Sequence, residues 1–336
     1  MRQRNSMKKS ILFFLAGALT LTGCMPVGPR QGYLKKDYCR ITRIDYRGWK
    51  DCYRMSNGLI EIVVVPAIGG RIMGYSLNNT NVIYENPAEF GKVYPPNKDI
   101  WHNFGGYKVW PAPQDCWPPE PVLDSAESRI ELLSPCSLRI IGAPSPEAGL
   151  QYIKDVTIYP GSCRVTVLQK MVNVSNRRLE RSIWDVTQVK VPGRVVFSLN
   201  PKSVFPEQIK YWEAEKILSK QLFRKNGLAL VKYDGSQGKL GADSPSGWIA
   251  YQYQNLTYLK KFQYFPGEKY PEEGCTVEVW ANTKPPYVEV EVLSPLKTLE
   301  PGQVYAFIED WYLYETPGFP EGDAETIAEI KSLVEK

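Results

Sequence analysis

The stretch that decides the fold is NGLIEIVVVPAIGGRIMGYSLNNTNVIYEN, residues 57–86. Its apolar runs LIEIVVV, RIMGYSL and VIYEN are rich in β-branched and aromatic residues, and the segments PAIGG and NNTN separate them. Residues of the first kind favour strands, whereas Gly, Pro and Asn favour turns. The stretch therefore predicts three short strands joined by tight turns.

Strand-like runs of the same kind continue to the end of the chain. They are LQYIKDVTIY, CRVTVLQKMVNV, RSIWDVTQVKV, GLALVKY, GWIAYQY, CTVEVWANT, YVEVEVL and QVYAFIEDWYLY. Strands at such short spacing predict an all-β antiparallel sandwich or barrel, and the absence of β-α-β alternation disfavours a nucleotide-binding doubly wound sheet.

Two segments are compatible with short helices. In the C-terminal GDAETIAEIKSLVEK, Ile327, Ile330 and Val334 fall on one face and Asp323 is a good N-cap, so we expect a packing helix there. The segment PEQIKYWEAEKILSKQLF, residues 206–223, is compatible with a second helix between strands.

The opening stretch resembles the start of the galactose mutarotase-like supersandwich, in which a strand returns through a Gly-Gly-Arg turn. The end of the chain is similar too, with YPEEG (270–274), VEVW, YVEVEVLSP (287–295) and LEPGQ before the last strand. The segment GGYKVWPAPQ resembles a stretch that lines the sugar cleft in some sugar-phosphate mutarotase relatives. The resemblance runs from about Asn57 to Tyr314 and implies a single antiparallel β-supersandwich domain over 41–336. The branch it resembles consists of bacterial lipoproteins rather than the aldose 1-epimerases themselves.

The resemblance implies a carboxylate base and an acid, usually histidine, which together open the sugar ring. Glu289 and Glu291 are one residue apart on a predicted strand, so both point away from the face that carries the intervening valines. By position, either matches the family's catalytic glutamate, although alternation alone predicts a solvated outer face equally well. The only histidine, His102, is the candidate acid, whereas the family commonly uses a pair of histidines.

The segment HNFGGYKVWPAPQ, residues 102–114, is predicted to be a rigid loop, because its two prolines disfavour a strand. Its rings, donors and acceptors suit a sugar, and so does the tryptophan that follows in DCWPPEP. The candidate binding residues here are Asn103, Lys108, Trp110, Gln114 and Trp117. The alternative is a structural loop whose tryptophan plugs the end of the sandwich.

Further candidate binding residues lie elsewhere in the chain. They are Arg71 in GGRI, Gln188 in WDVTQ, and Tyr270 and Glu272 in YPEEG. Alternation in WDVTQ places Gln188 on one face with Trp184 and Val186, with Asp185 and Thr187 on the other. For Arg71, an ordinary surface ion pair is the competing interpretation.

The N-terminus is typical of an export signal. Basic residues precede ILFFLAGALTL, an apolar run too short to span a bilayer. The run ends in LTGC, which resembles a bacterial lipobox and implies a signal peptide over 1–23, lipidation of Cys24 and a linker over 24–40. An ordinary secretory signal with a chance cysteine is the alternative. We therefore expect a lipid-anchored protein of the cell envelope, in the outer membrane if the cell has two.

Charge and motifs exclude several function classes. Removing residues 1–23 removes four of the positive charges and leaves about +1 of the formal +5, so nucleic acid is a poor partner. The chain has no G-x-S-x-G, P-loop or G-x-G-x-x-G motif, and one histidine disfavours the usual zinc sites. We expect no cofactor and no metal; calcium bound through backbone, Asp and Glu oxygens is the alternative, although the sequence has no loop with alternating acids.

Six cysteines remain after Cys24, and an even count in an exported chain favours disulfides. Spacing does not fix the pairing. The candidate local pairs are Cys136 with Cys163 and Cys39 with Cys52, which leaves Cys116 with Cys275; buried free thiols are the alternative.

These patterns together predict a lipid-anchored, extracytoplasmic protein that interacts with a saccharide or glycan. It is either an aldose 1-epimerase-like isomerase or, alternatively, a non-catalytic glycan-binding or structural envelope lipoprotein. The expected partners are the sugar and the membrane to which Cys24 is attached.

Overall fold

The structure is a computed structural model that describes residues 38–96, 100–114, 121–212, 220–316 and 322–335. Its fold consists of two large antiparallel sheets. The predicted all-β architecture is confirmed.

The first sheet has 12 strands in the described residues. In spatial order they are β1 (Arg40–Tyr46), β2 (Trp49–Ser56), β3 (Ile60–Val65), β4 (Arg71–Leu77), β6 (Tyr107–Ala112), β11 (Leu179–Val189), β20 (Tyr287–Leu293), β19 (Val277–Asn282), β16 (Gly238–Ala242) and β13 (Lys210–Tyr211), with β5 (Thr80–Asn81) beside β4 and β21 (Lys297–Leu299) beside β11.

The second sheet has 10 strands in the same part of the chain. Their order is β14 (Leu222–Lys225), β15 (Leu228–Lys232), β12 (Arg194–Ser198), β17 (Trp248–Tyr253), β18 (Leu256–Phe262), β22 (Val304–Glu315), β10 (Arg164–Asn173), β9 (Leu150–Ile158), β8 (Ser137–Ile141) and β7 (Arg129–Ser134). The helices are α1 (Pro121–Ser125) and α2 (Asp323–Val334), with short 3-10 turns at Pro87–Glu89 and Pro206–Gln208.

The main core lies between the two sheets, because strands of both sheets alternate and turn their apolar side chains inward. Along β9, fully buried residues alternate with half-buried ones. Val288, Val290 and Val292 of β20 join this core, as alternation predicted. Burial of each of these valines stabilises the folded state by about 1.5–3 kcal/mol. Because the valines point inward, the glutamates between them point to the outer face of β20.

Strand β6 corrects the prediction of a rigid loop over residues 102–114. Tyr107–Ala112 is a strand whose Pro111 lies opposite Ile183 of β11. On the other side of β6, the described pairing with β4 consists of Ile72 opposite Tyr107. Pro111 therefore lies beyond the paired part of that side, where a strand tolerates a residue without an N–H.

The disulfide pattern also differs from the prediction. Cys39 is bonded to Cys136, so the predicted Cys39–Cys52 and Cys136–Cys163 pairs are wrong. The bond joins the start of the first sheet to the β7–β8 turn of the second, and its cysteines are 97 residues apart. Sheet packing rather than sequence proximity brings them together. Cys275 is a buried free thiol, which contradicts its pairing with Cys116, a residue outside the described ranges.

The C-terminal helix is confirmed and covers the outer face of the second sheet. Ile327 and Ile330 of α2 pack against a cluster from that sheet that includes Trp248. The N-cap is Gly322 rather than the predicted Asp323, which begins the helix and lies 3.5 Å from Arg194.

The segment 206–223 does not form the predicted helix in its described part. It begins with the 3-10 turn and continues into β13, and β14 starts at Leu222. No helix in the described residues is long and apolar enough to cross a bilayer.

Candidate functional site

The outer side of the first sheet carries a group of polar and aromatic side chains on five adjacent central strands, β6, β11, β20, β19 and β16. Cross-strand neighbours share a face of the sheet, and the register places one set together on the side away from the core. We call this set the polar face; its residues are Lys108, Trp110, Trp184, Val186, Gln188, Lys239, Glu278, Trp280, Glu289 and Glu291. The predicted orientation of Gln188 together with Trp184 and Val186 is confirmed.

Glu289 and Glu291 lie at the centre of the polar face, where Glu289 is half-buried and Glu291 is buried. Glu291 is 1% exposed, and its Oε2 accepts a hydrogen bond of 2.7 Å from Nε1 of Trp184. Gln188 Nε2 donates to Oε1 of Glu289 at 2.8 Å. Burial raises the pKa of Glu291 to about 7, an effect that Lys239 opposes and Glu278 reinforces. Burial also raises the pKa of Glu289.

Lys108 faces these carboxylates from β6. Its Nζ lies 3.9 Å from Oε1 of Glu289 and 3.6 Å from the centre of a Trp110 ring. A ring of Trp101, which is 48% exposed, lies 4.8 Å from the same nitrogen. Nζ makes no hydrogen bond with any residue the structure describes. Burial lowers the pKa of Lys108 to about 8, although the carboxylates of Asp124 and Glu289 oppose the shift.

Arg71 supports the polar face from the neighbouring strand β4. Its guanidinium donates to the carbonyl of Gly105 at 2.8 Å and lies 2.7 Å from Asp124. Asp124 in turn accepts a hydrogen bond of 3.0 Å from Nε1 of Trp110. Arg71 is buried, so it forms an internal ion pair with Asp124 rather than the surface ion pair that the sequence left open. Through Asp124, this ion pair positions Trp110.

The glycines before β6 allow this close packing. Gly105 has φ of +90°, and a Cβ there would lie 2.4 Å from the carbonyl oxygen of Tyr84. Only glycine combines that conformation with that approach.

His102 lies in the segment before β6, where its ring stacks on Tyr94 with centroids 3.5 Å apart. The hydroxyl of Tyr94 donates to Glu89 at 2.8 Å. Among the described residues, the ring contacts of His102 are with Tyr94 and Phe104, whereas Lys108 is the basic group beside Glu289.

Asn103 stabilises its own turn. Its side-chain oxygen accepts from the Gly105 amide at 3.3 Å, and its carbonyl accepts from Asn86 at 2.7 Å.

The remaining predicted residues either lie outside the set that forms the polar face or fall outside the described ranges. The backbone N–H of Gln114 donates to Oε1 of Glu272 at 3.4 Å, which joins two candidates that are far apart in sequence. Tyr270 is buried, and its hydroxyl accepts from the Phe265 amide at 3.0 Å. Trp117 and Cys24 lie outside the described residues.

Sequence reasoning missed Glu278 and Lys239. Glu278 is fully buried directly opposite Glu291, and Lys239 Nζ lies 2.7 Å from its Oε2. The same nitrogen lies 4.0 Å from Oε2 of Glu291 and 4.7 Å from a Trp184 ring. The alternation of CTVEVWANT was the available signal, since it places Glu278 and Trp280 on the face opposite Val277 and Val279.

The polar face therefore combines acid, base and aromatic groups in a water-poor environment. Its carboxylates and ammonium groups can exchange protons with a bound hydroxyl, and its indole rings can pack against C–H groups. In the described residues no group of three or more His, Cys, Asp or Glu side chains is arranged to hold a metal ion.

Residues 96–314 match the family model described as a domain of unknown function, DUF4380. The chain belongs to the DUF4380 family. A search of curated proteins finds no match to this DUF4380 chain.

Solved structures of galactose mutarotase-like proteins share the fold of this DUF4380 chain. One, from Clostridium acetobutylicum, superposes with a TM-score of 0.54 at 13% identity, over 84% of this chain and 100% of the other. Another, from Lactobacillus casei ATCC 334, has a TM-score of 0.52 at 10% identity, over 78% of this chain and 100% of the other. A further solved structure, of the Slr1438 protein from Synechocystis sp. PCC 6803, superposes on this chain with a TM-score of 0.55 at 12% identity, over 82% of this chain and 99% of the other. The fold is thus the antiparallel β-supersandwich of galactose mutarotase-like type, as the sequence resemblance implied.

Proposed function

We propose that the polar face binds a saccharide and that its carboxylate and ammonium groups interconvert the anomers of a reducing sugar. The observation that carries the proposal is the position of buried Lys108 beside Glu289 and among tryptophan rings, on the same face as Glu291. The mutarotase-like fold supports a carbohydrate ligand.

Binding would use both the rings and the polar atoms that lack partners. Trp110 and Trp280 are half-buried, so part of each indole is available to pack against the C–H side of a sugar ring. Oε1 of Gln188 and Oε1 of Glu291 are buried and accept no hydrogen bond from the described residues. Buried polar atoms of this kind are stabilised when a ligand hydroxyl donates to them.

In the proposed reaction, Glu291 takes the proton from the anomeric hydroxyl as the bond between C1 and the ring oxygen breaks. Lys108 gives its proton to the ring oxygen, which leaves an open-chain aldehyde, and closure on the other face reverses both transfers. The pKa values of about 7 for Glu291 and about 8 for Lys108 suit general base and acid near neutral pH. Glu289 would hold Lys108 in position. His102 remains the alternative acid.

The test is proton exchange spectroscopy of the mature chain with a panel of reducing sugars and glycan fragments. We expect accelerated exchange between anomers, lowered about 100-fold or more by Glu291→Gln, because a general base contributes that much to a rate. Glu180→Gln is the matched control, since Glu180 is exposed on β11 of the same sheet. Comparison of Lys108→Met with His102→Asn identifies the acid.

The outcomes separate the proposed enzyme from its alternatives. Full exchange activity in Glu291→Gln would contradict the role of that residue. Line broadening of a sugar without exchange would favour the non-catalytic glycan-binding module. No effect across the panel would contradict the sugar proposal and favour a structural envelope lipoprotein.

We also propose that the protein is exported and anchored in the cell envelope through a lipid on Cys24. The LTGC motif supports this location, and so does the Cys39–Cys136 disulfide, because such bonds persist in oxidising compartments. Bacteria that express the chain and are fed labelled palmitate should label it, and Cys24→Ala should abolish the label. Equal labelling of both forms would contradict the anchor.

A further inference from the structure

Glu278 and Glu291 form a pair of carboxyl groups that the proposed reaction does not yet explain. They lie directly opposite each other on β19 and β20, and their exposed fractions are 0% and 1%. Both carboxyl groups lie beside one ammonium group, because Nζ of Lys239 is 2.7 Å from Oε2 of Glu278 and 4.0 Å from Oε2 of Glu291. Two ionised carboxylates both accept and cannot bond to one another, whereas a single proton between them makes that bond.

The surroundings of the pair do not neutralise two negative charges. Lys239, at 2.7 Å from Glu278, is the cation in ion-pair contact with these carboxylates among the described residues. Oε1 of Glu278 and Oε1 of Glu291 receive no hydrogen bond there, although both are buried. Without a bound sugar, one shared proton would reduce the charge of the pair to match Lys239 and would satisfy an oxygen on each side. Once that proton has left, Oε1 of Glu291 can accept a hydrogen bond from a sugar hydroxyl.

We propose that Glu278 and Glu291 act as one carboxyl pair that holds a single proton between them, with Glu278 as a positioning residue that makes Glu291 the stronger base. Its catalytic meaning rests on the proposed function: above the neutral titration step the pair has lost this proton, and it then takes the proton of the anomeric hydroxyl and shares it between the two carboxyl groups until it is returned to the sugar. The pair gains one proton and the sugar loses one, so no other reactant is needed.

Other charged groups also face the pair, and they set the conditions for its titration. From β16, Lys239 stays charged, because Glu278 and Glu291 raise its pKa even though burial alone would lower it. Burial raises the pKa of Cys275, so its thiol stays neutral. The further groups that act on this cluster are Glu289 on β20, Lys108 on β6, Lys210 on β13 and Glu272 before β19.

The experiment is a pH titration of the mature chain, labelled with ¹³C at the glutamate carboxyl carbons and assigned with single variants. We expect Glu278 and Glu291 to titrate together, with one apparent step near neutral pH and another well below it. In Glu278→Gln, the neutral step should disappear and Glu291 should titrate at least about one pH unit lower, because the repelling charge is gone. Lys239→Met should shift the neutral step upward, and the exposed control Glu180→Gln should leave both steps unchanged.

Glu278→Asp guards against a variant that fails to fold. The aspartate keeps a carboxyl group, so the titration should still show two steps. If residue 278 had only a structural role, Glu291 would titrate in the same way in Glu278→Asp and in Glu278→Gln. Glu291 titrating in Glu278→Gln as in the wild type would overturn the proposal.

The readouts distinguish this inference from the proposed function. The carboxyl pair is established if the titration shift is present, even if no sugar shows anomer exchange. If exchange occurs but neither the titration of Glu291 nor the acid limb of exchange moves to lower pH in Glu278→Gln, the mutarotase function stands and the carboxyl pair is contradicted.

Discussion

The pH dependence of anomer exchange is the sharpest prediction of the proposed mechanism. Glu291 must be ionised to accept a proton, and Lys108 must be protonated to donate one. With pKa values of about 7 and about 8, the rate should peak near pH 7.5 and fall about twenty-fold at two units on either side. Below the peak the base is protonated, and above it the acid has lost its proton.

Replacing Lys108 with methionine tests which group is the acid. Methionine keeps an apolar chain between the rings of Trp101 and Trp110 but cannot donate a proton. We expect the rate at pH 7.5 to fall about 100-fold or more and the alkaline limb to disappear, while the acid limb remains. The assay is exchange spectroscopy with the sugar that responds best to the wild type.

The control is Lys225→Met, because Lys225 is exposed at the end of β14, an edge strand of the second sheet, whereas the polar face belongs to the first sheet. An alkaline limb that persists in Lys108→Met would refute the reasoning. Loss of that limb in His102→Asn alone would assign the acid to the histidine.

Three further predictions concern stability and the carboxylates. The double variant Cys39→Ser/Cys136→Ser should lower the free energy of unfolding in urea by about 4–5 kcal/mol, because the bond spans 97 residues of chain; a loss below about 1 kcal/mol would contradict this. Burial lowers the pKa of Lys154 to about 7, below its unfolded value of 10.5. Between pH 7 and pH 9 the unfolded chain keeps a proton on Lys154 that the folded chain loses, so the free energy of unfolding should rise by about 2 kcal/mol. In Lys154→Met this rise in the free energy of unfolding should be absent, and a variant with the same pH dependence of unfolding as the wild type would contradict the prediction. Trp184→Phe removes the hydrogen bond to the Glu291 carboxylate and should move the acid limb of exchange up by about one pH unit, whereas an unmoved limb would show that the bond does not act on the base.

Features that depend on local alternation were predictable from the sequence. In β20 and β11, residues two apart point to the same side, so the inward valines and the shared face of Trp184 and Gln188 followed from spacing alone. The C-terminal helix was also predictable, because its apolar residues recur every three to four positions and form one stripe.

Features that depend on the partner strand were not predictable. Alternation in β20 could not tell a solvated glutamate from a buried one, because the difference lies in Trp184 of β11 and Lys239 of β16. The disulfide between Cys39 and Cys136 depends on how the two sheets meet. Pro111 was misleading because its tolerance in a strand depends on where pairing with β4 stops.

The proposed use of Lys108 as an acid links the chemistry of the polar face to its packing. A histidine has a pKa near neutrality without help, whereas a lysine must be brought down from 10.5. Burial lowers the pKa of Lys108 to about 8, and the nearby indole of Trp110 and the carboxylate of Glu289 keep the buried ammonium stable enough to exist. The carboxyl base is adjusted in the opposite direction by the same dry environment. Water entering the polar face would therefore separate the two pKa values and weaken acid and base together, so in this chain the rings that bind a sugar would also set the strength of the groups that act on it.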